Sequence, residues 1–167
     1  MTSDPRVAKS FAVLRRSDGS ERRGKSPTES VAVPCRLTYK LIKEVRNGVV
    51  FRAGEMEEKW DIDLFDDELY ISRSWTGELI FVTHLHRSAG LLTVSEVSAP
   101  VSSAEASTMI VRDVDFLIKT FLLGLEVPHS LPHELPSSEK MIVTCCFSLF
   151  GRHAAFATYD DTTKFEL

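Results

Sequence analysis

Three features of the sequence predict an α+β fold, an antiparallel β-meander with two helices packed on one face. Apolar and polar residues alternate through residues 60–86, with short turn signals between the runs. After residue 102 the apolar spacing lengthens to three and four residues. The order is strands, then helices, then one more strand, which suits an antiparallel sheet under a helical layer better than alternating parallel units.

The elements follow in chain order. Residues 1–30 read as a basic, partly disordered arm, in which Phe11, Val13 and Leu14 offer at most a short edge strand. Residues 31–167 make a single α+β domain. Leu37, Tyr39, Leu41 and Val45 alternate as in a strand, while Leu37, Leu41 and Val45 also fit a helix face. Asn47-Gly48 followed by Val49-Val50-Phe51 favours a hairpin here. Trp60–Phe65, Leu69–Trp75 and Glu78–His86 are three strands, joined at Asp66-Asp67 and Thr76-Gly77.

Two-residue hairpins at both turns set a register. Trp60 then opposes Arg73, Ile62 opposes Ile71 and Leu64 opposes Leu69. Across the next turn Trp75 opposes Glu78, Arg73 opposes Ile80, Ile71 opposes Val82 and Leu69 opposes His84. One face therefore collects Trp60, Ile62, Leu64, Leu69, Ile71, Ile80 and Val82, with Arg73, Trp75, Glu78, His84 and His86 along it. Leu91–Val97 continues the sheet.

Ser102-Ser103-Ala104-Glu105 reads as a capping box that opens a helix over about 103–123. Its stripe is Ile110, Val114, Leu117, Ile118, Phe121 and Leu122, and Gly124 closes it. Three prolines interrupt 126–137. A shorter helix starts at Ser137 or Ser138 and stops at Gly151, and Ala154–Tyr159 is a last short strand.

Composition narrows the function classes. No apolar run is long enough to span a membrane, which needs about 20 residues. A net charge of −4 argues against a dedicated nucleic-acid binder, and no nucleic acid is expected beyond what a basic arm touches. Residues 1–27 hold seven basic and three acidic residues, so that segment is +4 and residues 28–167 carry −8. Phe11–Leu14 is too short for the apolar region of an export signal. Cys35, Cys145 and Cys146 are odd in number and lack a C-x-x-C spacing, so free thiols in a reducing cytoplasm are expected. No cofactor motif is evident.

Four constellations are candidates for chemistry. His84 and His86 are two apart on a strand and point the same way, as a metal pair requires. A third ligand would come from Glu78, His129, His133 or Glu134. Arg73 falls on the apolar face beside Trp60, with Trp75 and Glu78 near. Either Glu78, Glu57 or Glu58 pairs with it under an indole, or it is an anion-binding arginine in an aromatic-walled pocket. Eight carboxylates between Glu55 and Glu68 read as a solvated, negatively charged sheet face that attracts a basic partner. Cys145-Cys146 lies in the apolar run Met141–Phe150 and reads as a pair of core thiols.

Lys59-Trp60, Leu69-Tyr70 and Arg73-Ser74-Trp75-Thr76-Gly77 form a "KW…LY…RSWTG" pattern. It resembles a small group of uncharacterised bacterial proteins over the stretch from Glu57 to Gly77. The resemblance implies a bacterial source and carries no activity onto any residue.

Two classes of function remain. The first is a non-catalytic cytosolic binding module with an acidic surface, recognising a protein or a small anionic ligand. The second is a hydrolase- or isomerase-type enzyme using His84, His86 and Arg73, with or without a metal.

Overall fold

The computed structural model describes residues 3–41, 44–101, 107–135, 138–154 and 156–164. Six strands form one antiparallel sheet: β1 (Ser30–Lys40), β2 (Gly48–Phe51), β3 (Trp60–Phe65), β4 (Glu68–Arg73), β5 (Leu79–Ser88) and β6 (Leu91–Pro100). Their order is β1-β6-β5-β4-β3-β2. The fold is α+β with an antiparallel meander at its centre, as expected.

The β3–β4 hairpin turns on Asp66 and Asp67, both at positive φ, which matches the right-handed twist of the strands. Its register is the expected one, with Trp60 opposite Arg73, Ile62 opposite Ile71 and Leu64 opposite Leu69. The next hairpin differs. β4 ends at Arg73, and residues 74–77 form a four-residue turn closed by Arg73 N–H to Glu78 O (2.9 Å) and Gly77 N–H to Arg73 O (2.8 Å). Ser74 continues the ladder to the other side, its N–H donating to Lys59 O and its hydroxyl to Glu58 O (2.6 Å). Those two bonds hold Ser74 away from β5, and Gly77 supplies the left-handed φ of +74° that the longer turn needs.

A register shift between Ile71 and Ser72 leaves Ile80 unpaired, so Ile71 faces Phe81, Leu69 faces Thr83 and Glu68 faces His84. Against the expected register, β5 moves by two residues at Ser72 and by one from Ile71 onward. Phe81 and Leu85 join the core, while Val82 pairs with Tyr70 and lies outside the core cluster. His84 and His86 are exposed.

The hairpin expected between Leu37 and Phe51 is not made. β1 pairs with β6 and β2 with β3, at opposite edges of the sheet. Pro34 is tolerated because β1 is an edge strand, and the register slips between Pro34 and Leu37. The strand reading of Leu37–Lys40 holds; Leu41 and Val45 lie beyond the strand's end.

Helix α2 (Ser107–Leu117) runs on into a π-helical turn, Ile118–Leu122. Its stripe Ile110, Val114, Leu117 and Ile118 joins Ile62, Leu64, Ile71, Leu85, Val94 and Val97 in one core. The capping box at 102–105 lies outside the described residues. Helix α3 (Glu139–Phe150) is capped at Gly151, where φ is +62° and an added Cβ would sit 1.7 Å from Glu57 O. Only glycine lets the end of α3 come this close to the loop before β3. Of the last expected strand, Ala157–Thr158 (β8) pairs in parallel with His129–Ser130 (β7). No helix among the described residues is long and apolar enough to cross a membrane.

The amino-terminal arm carries a third helix, α1 (Pro5–Leu14), where at most an edge strand was expected. Asp4 caps it by accepting from Arg6 N–H, and Pro5 opens it. The arm then lies on the sheet face opposite the core. There Asp61 and Asp63 are fully buried among Arg15, Arg22 and Arg52. The solvated acidic face is therefore not what forms. Asp66 pairs with Arg23, Asp67 with Arg87, and Glu55 and Glu58 with Arg152. Most of the acidic tract is neutralised by cations of the same chain.

Candidate functional site

One cavity of about 640 Å³ opens between the β4–β5 turn and the outer side of α3, lined by Lys59, Arg73, Trp75, Thr76, Glu78, Val143, Thr144, Phe147 and Ser148. Arg73 is placed by its register. Its guanidinium carbon stacks 4.0 Å from the Trp60 ring, and Nη1 donates to Leu149 O at 3.3 Å. Trp60 Nε1 donates to the same carbonyl at 2.8 Å, which ties β3 to the end of α3. Burial pulls the Arg73 guanidinium below its usual range, against the fields of Asp113 and Glu78. Arg73 forms no ion pair among the described residues; Glu78 is exposed and does not reach it.

Lys59 is the second cation of this cavity. Its ammonium lies 4.0 Å from the Trp75 ring and 4.8 Å from the Phe147 ring, with Met56 O at 3.4 Å. Lys59 is only 8% exposed, and burial lowers its pKa more than Glu57 raises it. It too has no ion pair among the described residues. Trp75 is fixed by Nε1 donating to Met56 O at 2.6 Å. Met141, Val143 and Phe147 leave an apolar strip of α3 exposed.

Arg73, Trp75 and Glu78 thus line one cavity, and Trp60 is the floor under Arg73. Lys59, Val143 and Phe147 went unrecognised as site residues. Lys59 stands in the "KW" pair, and Val143 and Phe147 are four apart on one helix face, yet the whole run Met141–Phe150 reads as core. Cys146 and Phe150 are the members of that run that are buried.

The histidine pair does not join this site. His84 pairs with Glu68, at the far end of β4 from Arg73 and on the other face of the sheet. His129 is buried between the rings of Phe116 and Phe150, at 5.7 and 4.9 Å, and His133 stacks near Tyr159. No group of three metal-ligating side chains occurs among the described residues.

Asp113, which interacts electrostatically with Arg73, has its Oδ1 buried without a hydrogen-bond partner among the described residues. Desolvation pushes its carboxyl up to about 7, against the pull of Arg73. The Cys145 thiol is raised by burial and by Asp113, so it is not an activated nucleophile.

No protein-family model, curated protein or solved structure matches the chain.

Proposed function

We propose that this protein is a non-catalytic binding module for a small amphipathic anion, with an apolar or aromatic body and a carboxylate or phosphate group. The observation that carries this reading is that two cations, Lys59 and Arg73, neither in an ion pair among the described residues, share one apolar cavity. A desolvated cation is costly unless something compensates it. Here aromatic faces compensate in part, and an incoming anion completes the rest with charge-assisted hydrogen bonds. Phe147, Val143 and Trp75 supply the apolar walls. The separation of His84 and His86 from Arg73 weighs against an enzyme built on those three residues, and the internal pairing of the acidic tract weighs against a basic protein partner.

Tryptophan fluorescence titration tests the reading. Phenyl phosphate is expected to bind more tightly than inorganic phosphate or benzyl alcohol, because only phenyl phosphate uses both halves of the cavity. Charged hydrogen bonds contribute about 1.5–3 kcal/mol each, so Arg73→Met or Lys59→Met weakens phenyl phosphate by about 10- to 100-fold. Equal binding of phenyl phosphate to wild type and to both variants overturns the proposal.

A further inference from the structure

The attachments of the amino-terminal arm converge on the turn that walls the cavity. Helix α1 buries none of its own residues. It is held at its last residue and the one after. Arg15 Nη1 and Nη2 grip the Asp61 carboxylate at 2.8 and 2.6 Å, Nη2 also donates to Ser74 O at 3.0 Å, and Nη1 donates to Ala53 O. Leu14 closes over the other end of the same turn, so near that a Cβ on Gly77 would come within 3.0 Å of its Cδ2. Ser74 and Gly77 bracket Trp75 and Thr76. Further along, Arg22 Nη1 donates to Asp63 at 2.7 Å, and Gly24 N–H donates to the Tyr70 hydroxyl at 2.7 Å. The 74–77 turn is thus held from one side by the arm, while its Trp75 faces Lys59 in the cavity on the other.

We propose that residues 5–24 are a strap that sets the position of the cavity's outer wall, with Arg15 as the positioning residue. The Arg15 hydrogen bond and the Leu14 contact reach the turn at Ser74 O and at Gly77, neither of which lines the cavity. Releasing it frees Ser74 O and Gly77 and loosens Trp75. Binding and strap docking are then two equilibria joined through one turn, and linkage makes the coupling reciprocal. This second consequence rests on the ligand reading above; the first does not.

The experiment uses the full chain and two variants. Leu14→Ala removes the contact at Gly77 without leaving a buried charge. Arg15→Lys keeps a cation for Asp61 but cannot also bridge to Ser74 O. Hydrogen exchange by NMR reports the wall without any ligand. The Trp75 indole N–H and the Gly77 amide are expected to exchange about tenfold faster in both variants. The Trp60 indole N–H, bonded to Leu149 O, is expected to keep its wild-type rate. Unchanged exchange at Trp75 and Gly77, or equal acceleration at Trp60, overturns the strap. With saturating phenyl phosphate, tryptic cleavage at the exposed Arg16 is expected to slow by at least the factor by which Leu14→Ala weakens phenyl phosphate binding. Binding without that slowing overturns the coupling. Failure of phenyl phosphate to bind wild type overturns the ligand reading and the coupling with it, while the exchange rates still decide on the strap.

Discussion

The guanidinium of Arg73 lies over the ring of Trp60, its direct partner across the β3–β4 pair, with 4.0 Å between guanidinium carbon and ring centroid. This stacking, and one bond to Leu149 O, take the place of the ion pair that a half-buried cation usually has. Arg73→Met keeps an alkyl stem on the indole and breaks no ion pair among the described residues, and Leu149 O remains satisfied by Trp60. Its thermal midpoint is expected to equal or exceed that of wild type, as for other desolvated charges replaced by apolar groups. A fall of about 3 kcal/mol or more in unfolding free energy would assign Arg73 a structural role instead.

Leu117 is fully buried where α2 meets the sheet. Leu117→Ala is expected to cost about 2–5 kcal/mol, the transfer and cavity terms together. Urea unfolding measures it directly, and an unchanged midpoint would mean that the stripe of α2 is not core.

Asp63 is 0% exposed and takes Arg22 and Arg52 at once. Desolvation raises its pKa, and the two guanidinium groups oppose that rise. Asp63→Ala removes the shorter carboxylate contact of both cations, leaving Arg22 and Arg52 with Asp61 at 3.9 and 3.3 Å, and is expected to cost about 3–5 kcal/mol. Replacing Arg22 by Met in the same chain should recover part of that loss. Arg23, by contrast, pairs with Asp66 in solvent, and Arg23→Ala is expected to leave the urea midpoint where it was.

Asp113 carries a pH signature. Its folded pKa of about 7 lies above the value of about 3.9 for an unfolded aspartate. The folded state therefore holds its proton more tightly. The associated stability is present below pH 4 and is lost as pH rises through about 7. Asp113→Asn removes that dependence. The gain in thermal midpoint over wild type should grow between pH 4 and pH 8; a constant difference would mean that Asp113 titrates normally.

Local chemistry alone determined the centre of the sheet. The Asp66-Asp67 turn spans two residues, so the pairing of Trp60 with Arg73 followed from counting outward along alternating residues. The stripe of α2 and the stop of α3 at Gly151 were legible for the same reason, since period and caps act within a few residues. Tertiary structure decided the rest. Whether Ser74 pairs with β5 or turns back to Glu58 and Lys59 depends on hydrogen bonds made across the sheet; that choice moved the pairing by two residues at Ser72 and Leu79, and the bulge at Ile80 took one back, which put Phe81 on the core face and sent His84 and His86 outward. β1 and β2 are neighbours in sequence, yet β1 found its partner in β6, because an edge pairing is chosen by long-range burial rather than by the turn between them. Alternation placed Asp61 and Asp63 opposite the core face, but it could not say that Arg15 and Arg22 would come back to cover them. The site shows the same division. Arg73, Trp75 and Glu78 sit within six residues and could be grouped from sequence, whereas Lys59 gains Phe147 as its second aromatic neighbour only because Gly151 lets α3 close against Glu57.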